Sequence, residues 1–423
     1  MGVSEELAVR ARHAIPHGVN SPVRHYDPYP FFAERAEGCR MWDADGHSMI
    51  DMCNGYGALL LGHRHPDILG AVTEQMGRGT LYCTPTALEV EVSELVRGNY
   101  PSMEMSRMVN TGGEATMTAV RLARGYTGRD KIVMFAGGYH GAHDTVLVKS
   151  GSGSASMPAS AGSPPGMADH TIVLPYNDLE GFLDVVESRD DIAGVIMEPV
   201  MANMGLIPPR KGFLEGVRHT TKQRGVVLIF DEVVTGFRMS PGGAQSYYGV
   251  RPDMTTLAKA LGCGFAAAAV GGRRDIMECL APGGTVYQAS TFAGNPVAAA
   301  AAAASIHTIN GMAGSLYPRL ERQCGRLAGA VRDAAADCHM PCVVHHIASM
   351  MQVFFTDGMV HDYDTAKRAD AHTFSRLFAG LLERGIFVAP SQFETAFLSA
   401  AHTDQDIDMV ARAYQDALGA MAT

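Results

Sequence analysis

Two residue types at one separation could do chemistry in this chain: a carboxylate, Asp231, and an amine, Lys259, 28 residues later. The carboxylate closes the apolar run Val226-Val227-Leu228-Ile229-Phe230 and opens the string Asp231-Glu232-Val233-Val234-Thr235-Gly236-Phe237-Arg238. So dense a set of β-branched and aromatic residues predicts a strand buried on both faces. Open α/β sheets bind their ligands beyond the carboxyl ends of such strands. The lysine stands in Thr255-Thr256-Leu257-Ala258-Lys259-Ala260-Leu261-Gly262, a mostly apolar stretch. Such surroundings desolvate an ammonium, lower its pKa and leave a neutral amine able to attack a carbonyl. Taken alone, an aspartate and a lysine so spaced are ordinarily solvated surface charges; the strings around them carry the argument.

The elements that must position these groups read as alternating strands and helices. Strand-like runs at Lys131–Phe135, Ile192–Met197, Val226–Phe230 and Ala267–Gly271 are separated by helical patterns. That alternation implies βαβ units and a mainly parallel sheet flanked by helices. Residues 1–55 read as an N-terminal segment and 56–311 as a large domain. From 312 to 423 the pattern changes to a smaller α+β domain, with Leu316, Leu320, Leu327 and Val331 at helical spacing. A strand at Met350–Phe355 and helices at Ala366–Arg384 and Asp404–Ala420 complete it. The alanine tract Ala298–Ala304 predicts a tightly packed helix, and no internal repeat is visible. Asn110-Thr111-Gly112-Gly113-Glu114-Ala115 precedes the helical pattern Ala115–Arg124. Small residues at a helix start offer backbone amides and a hydroxyl to a phosphate dianion, although Thr-Gly-Gly is equally an ordinary cap and turn. The Gly/Ser-rich stretch 150–166 follows Gly137-Gly138-Tyr139-His140-Gly141 and reads as a lid over a site, or else as a flexible surface loop.

Composition excludes several classes. The 34 basic and 44 acidic residues give a net charge of −10 with no basic stripe, against nucleic acid or an anionic membrane as partner. Most of the eight cysteines, which form no CxxC, read as small buried apolar residues in a reducing compartment, and no metal-ligand spacing stands out. The start lacks the basic and apolar regions of a secretory leader, and no apolar run reaches the roughly 18 residues of a membrane span. A cytoplasmic enzyme is the expectation.

The string Asp231–Arg238 followed by the lysine segment resembles the signature of the class III aminotransferases. That family binds pyridoxal 5'-phosphate, or its pyridoxamine form, on an α/β scaffold of fold type I. A Schiff-base lysine and a carboxylate for the pyridinium nitrogen are what this cofactor requires. The resemblance implies Lys259 as the catalytic amine, Asp231 on the ring nitrogen and Tyr139 stacked on the ring. It implies Thr111, Gly112 and Gly113 around the phosphate, and His140, Asn203 and Val233 beside the cofactor. Glu198 would line the same site or form a structural ion pair. The family usually shows Ser-Gly-Thr at the phosphate, so this chain keeps a hydroxyl at Thr111 and loses one at Gly113. Tyr287-Gln288-Ala289-Ser290-Thr291-Phe292-Ala293-Gly294-Asn295 resembles the segment through which a partner subunit reaches the phosphate. A homodimer with a composite site, Tyr287 and Thr291 coming from the partner, is what that implies.

Gly18-Val19-Asn20-Ser21-Pro22-Val23-Arg24 resembles the carboxylate-binding turn of the glutamate-1-semialdehyde 2,1-aminomutases within that family. The likeness runs on through Arg107–Asn110, Arg121–Asp130, Gly243–Gln245 and Tyr247–Gly249. It implies Ser21, Val23, Arg24, Tyr56 and Glu394 as substrate-binding residues. An arginine beside a proline-stiffened turn suits bidentate recognition of one carboxylate. No arginine or lysine lies between Arg384 and Arg412, where dicarboxylate-using members commonly place one, and Glu394 would repel a second carboxylate. The implied reaction is internal amino transfer on a monocarboxylate, glutamate 1-semialdehyde, giving 5-aminolevulinate for tetrapyrrole synthesis. Departures stand at Tyr56, where a tryptophan is usual, at Gly113, at Phe292-Ala293 and at Cys263–Ala268. Three alternatives stay open: an aminotransferase for a β- or ω-amino acid with an external keto acceptor, a non-catalytic homologue, and a racemase or decarboxylase on this fold.

Overall fold

A computed structural model describes residues 2–148 and 160–422; residues 150–159 of the expected lid lie outside the described residues. After a first helix, Val3–Ala14, the chain forms three short antiparallel strands: β1 (Ala33–Glu37), β2 (Arg40–Asp43) and β3 (Ser48–Asp51). The central sheet takes β4 (Met105–Val109), β5 (Lys131–Phe135), β6 (Thr171–Leu174), β7 (Ile192–Met197), β8 (Val227–Asp231), β9 (Met254–Leu257) and β10 (Ala268–Gly272). Their spatial order is β4-β10-β9-β8-β7-β5-β6. Pairing is parallel from β9 to β6, and β10 alone runs antiparallel to both its neighbours. Every residue of β7 and β8 is buried, which is why their sequences are continuously apolar instead of alternating. In register, Met197 pairs with Phe230 and Asp231 with Thr256, so the ends of β7, β8 and β9 open on one edge.

A helix of 42 residues, Pro296–Asp337, follows. Proline at its first turn and Asn295, whose side chain accepts from the Ala298 amide at 2.9 Å, fix its start. Ala298–Ala303 are buried, and small side chains bring its backbone close enough for Ser305 Oγ to donate to the Ala260 carbonyl at 2.9 Å. The long helix thus backs the turn that carries Lys259. It runs through residue 312, where the periodicity of the sequence changes. Beyond it, β11 (Val343–Ile347), β12 (Met350–Phe354) and β14 (Ala396–Phe397) form an antiparallel sheet, while β13 (Ile386–Phe387) joins β3 in parallel. The N-terminal strands therefore share a sheet with the C-terminal part. Residues 366–384, expected as one helix, form two: Tyr363–Lys367 and Ala371–Glu383. Asp370 divides them by accepting from the amides of His372 and Thr373, a cap the helical periodicity masks.

Candidate active site

Asp231 ends β8 and is buried. Three donors converge on it: the Val233 amide at 3.1 Å, Thr256 Oγ1 at 3.1 Å and His140 Nδ1 at 2.7 Å. His140 is itself buried, and its Nε2 has no hydrogen-bond partner. At the end of β7, Glu198 accepts from the amides of Tyr139 (3.0 Å) and Ala202 (2.9 Å) and from Asn203 Nδ2 (2.9 Å). Burial raises the Glu198 carboxyl above the usual range, and neighbouring His140 opposes that shift. Amide donors, not an ion pair, hold this residue, and through it the Tyr139 backbone. Tyr139 is 38% exposed, so it is a wall residue and not a core tyrosine.

Lys259 opens a short 3-10 turn directly after β9 and takes a left-handed φ of 46°. Desolvation lowers its pKa, and the carboxylates Glu394, Glu198 and Asp231 counteract that only in part. Thr111 caps the helix Gly112–Thr127, its side chain accepting from the Glu114 amide at 3.2 Å. The hydroxyl proton of Thr111 remains free to donate, and first-turn amides have no partner within their own helix. These groups line one cavity of about 470 Å³, together with Asn110, Gly112, Gly113, Ala142, Val233 and Phe265. Gly112 is there for space, since a Cβ on it would meet Val233 Cγ2 at 2.8 Å, whereas one on Gly113 would make ordinary contact with Gly141 Cα at 3.4 Å.

The residues fit pyridoxal phosphate. An amine whose pKa burial lowers, a buried carboxylate fixed by three donors and a helix start with open amides meet in one ligand-sized cavity. The unpartnered Nε2 of His140 adds a polar group awaiting a neighbour.

Of the expected cofactor residues, Thr111, Gly112, Gly113, Tyr139, His140, Asn203, Asp231, Val233 and Lys259 come together here. Thr291 does not: with Tyr287 it lies on an exposed segment outside this cavity. Val23 and Glu394 line a second, larger cavity of about 920 Å³ between the N-terminal segment and the helix Ala371–Glu383. It is the bigger of the two but lacks the amine. Glu394 is buried, Tyr56 half-buried and Arg24 exposed; the charges of Arg24 and Glu394 both bear on Tyr56. Sequence reasoning missed Thr256, although a threonine three residues before the lysine at a strand end was an available signal. It also left Glu232 and Arg238 without a role. Glu232 accepts from the Ala244 and Gln245 amides, Gln245 Nε2 and Thr235 Oγ1, tying the strand end to the helix Gly243–Tyr248.

Comparison with known proteins agrees with this geometry. Residues 22–403 match the family Aminotransferase class-III. The chain is 59% identical over 419 residues to glutamate-1-semialdehyde 2,1-aminomutase 1 of Cenarchaeum symbiosum (strain A), covering 99% of each chain. It is 54% identical over 417 residues to the aminomutase of Nitrosopumilus maritimus (strain SCM1), covering 98% of each. Among solved structures, an omega-transaminase from Sphaerobacter thermophilus superposes with a TM-score of 0.92 at 32% identity, covering 99% of this chain and 97% of that one. A glutamate-1-semialdehyde aminomutase from Pseudomonas aeruginosa PAO1 gives 0.88 at 26%, covering 98% and 94%. The cavity around Lys259 and Asp231 lies inside the matched residues, and the chain belongs to the class III aminotransferase family.

Proposed function

We propose that this protein is an isomerase converting glutamate 1-semialdehyde to 5-aminolevulinate, for tetrapyrrole biosynthesis, with pyridoxal and pyridoxamine 5'-phosphate as the alternating forms of its cofactor. The observation that carries the reading is the buried Glu394 within electrostatic reach of Lys259, with its charge and that of exposed Arg24 both bearing on Tyr56. One guanidinium accepts one carboxylate, and Glu394 repels a second, which disfavours the dicarboxylate that an ordinary transamination cycle uses as acceptor. Near-full-length identity to two aminomutases supports it.

When bound, the cofactor supplies an electron sink and a carrier for the amino group. Lys259 Nζ, its pKa lowered by desolvation, would hold the cofactor and would accept and return the proton at the reacting substrate carbon. Asp231 would keep a proton on the ring nitrogen, its carboxylate held by His140 and Thr256. Of the residues lining the cavity, Thr111 with the amides of Gly112 and Gly113 would hold the phosphate, and Tyr139, Asn203 and Val233 would flank the ring. Ser21 and Arg24 receive the substrate carboxylate, with Val23, Tyr56 and Glu394 around it. The exposed Tyr287 and Thr291, beside a 60% exposed Phe292, support a homodimer in which the partner completes the phosphate site. All eight cysteines are free, which fits a reducing cytoplasm, and no described helix is long and apolar enough to cross a membrane.

The test is absorbance spectroscopy of the purified protein given glutamate 1-semialdehyde and no amino acceptor. Catalytic formation of 5-aminolevulinate is the expected result. The solved omega-transaminase, with its TM-score of 0.92, favours one second reading, a β- or ω-amino acid aminotransferase. A single turnover, with further reaction only on adding a keto acid, would establish that reading and sink the mutase.

A further inference from the structure

The turn that carries Tyr56 is clamped from several sides. Asn54, Gly55 and Tyr56 have φ values of 48°, 60° and 55°, a left-handed run that side chains other than glycine disfavour. Asp51 Oδ1 accepts from the amides of Cys53 and Asn54 at 2.9 and 2.8 Å. Asn54 Nδ2 donates to the carbonyls of Asp51 and Phe397 at 2.9 and 2.7 Å, and Arg238 Nη2 to that of Gly57 at 2.7 Å. Asp51, Asn54 and Arg238 are all buried, so these bonds form away from competing water.

The clamped turn presents one hydroxyl. Tyr56 OH donates at 2.8 Å to the carbonyl of Val23, 33 positions earlier. Val23 is the middle residue of the 3-10 turn Pro22–Arg24, which the proline stiffens and in which the Arg24 amide donates to the Ser21 carbonyl at 3.1 Å. Arg24 is exposed, so its long side chain recognises a carboxylate well only if its backbone is fixed. The bond from Tyr56 does that fixing.

We propose that Tyr56 is a positioning residue for substrate specificity: by pinning the Val23 carbonyl it sets where Arg24 stands relative to Lys259. The enzyme thereby selects substrates by the distance from their carboxylate to the carbon that meets the amine. The inference rests on the aminomutase reading and adds to it the residue that sets the span.

The test compares cofactor-loaded wild type with Tyr56→Phe, which removes one hydroxyl and keeps the ring. Calorimetry measures binding of laevulinate (4-oxopentanoate) and of its uncharged amide, beside the kinetics of glutamate 1-semialdehyde turnover. Tyr56→Phe is expected to bind laevulinate about tenfold more weakly, the scale of one lost hydrogen bond. KM rises by a similar factor and by more than kcat falls, the amide loses less affinity than laevulinate, and the melting temperature stays as in wild type. Equal laevulinate affinity in the two proteins overturns the inference, and so does equal weakening for laevulinate and its amide, which would mark a general packing defect. If wild type forms 5-aminolevulinate and Tyr56→Phe matches it throughout, this inference alone fails. If wild type neither forms that product nor binds laevulinate, the aminomutase reading fails and takes this one with it.

Discussion

Lys259 occupies a position that folding alone would not choose for a lysine. Its backbone is left-handed, and its amine is desolvated among carboxylates that restore only part of its usual pKa. Such a site costs stability and supplies reactivity. Lys259→Ala is therefore expected to lose at least about 10³-fold in kcat, as for removal of a group that is both nucleophile and proton carrier. Its thermal midpoint should hold or rise, because no ammonium is left to desolvate; a midpoint that falls by many degrees in a melting scan would show a structural lysine. Asp231 and Lys259 were legible in the sequence because each follows a run whose burial is readable from composition. Thr256 was not, since its partnership with Asp231 depends on the register between β8 and β9, and register is a property of two strands together. Arg238 was hidden for a similar reason. Its three acceptors, Ser349 Oγ, the Leu398 carbonyl and the Gly57 carbonyl, lie from 111 to 181 positions away.

The elements around the cavity meet where two glycines touch. Gly141, at φ 98°, carries the turn after β5 past the first turn of the helix Gly112–Thr127. A Cβ on Gly141 would stand 2.5 Å from Gly113 Cα, closer than real contacts allow. Backbone on both sides leaves nothing flexible to give way. The close approach constrains Gly141 and not Gly113, where an added Cβ would stand at an ordinary 3.4 Å from Gly141 Cα. Gly141→Ala is expected to destabilise by about 1–3 kcal/mol and to weaken cofactor affinity, read by denaturation and by spectroscopic titration. Gly128→Asn is the control: that glycine caps the same helix at φ 68° with nothing within 4 Å, and asparagine tolerates this conformation. Both proteins behaving alike would mean that the contact between the turns is unimportant. At this scale the sequence marked the parallel strands β5, β7 and β8 well, through their unbroken apolar runs. The edge strand β4, Met105–Val109, was less visible, because its exposed Met105 and half-buried Ser106 and Arg107 dilute the pattern.

Across the whole molecule, the N-terminal strands, the long helix and the C-terminal helix converge on His402. Its ring is fully buried, and Nδ1 accepts from the Ser399 amide at 3.0 Å, which requires that nitrogen to be unprotonated. Arg319, on the long helix, donates to the His402 carbonyl at 2.9 Å, while Asp51 on β3 and Asp406 on the C-terminal helix act on the ring electrostatically. Burial outweighs those two carboxylates and pushes the imidazole down to about 4. His143 is likewise held at about 4 by burial, and burial lowers His345 and His346 as well. A histidine whose pKa is lower folded than unfolded takes up its proton more readily in the unfolded chain. Its contribution to stability is complete above the unfolded value near 6.5 and is lost as pH falls toward the folded value. For His402 alone that loss is roughly 3 kcal/mol between those limits. Denaturant unfolding followed from pH 7 to pH 4 should show stability falling with acid well before the carboxylates titrate. In His402→Asn, whose amide oxygen can still accept from Ser399, the fall should be shallower. An unchanged slope in that variant would move the effect to other groups. A shallower one would show that the junction of the terminal segments, not the cavity at Lys259, is where acid first loosens the fold.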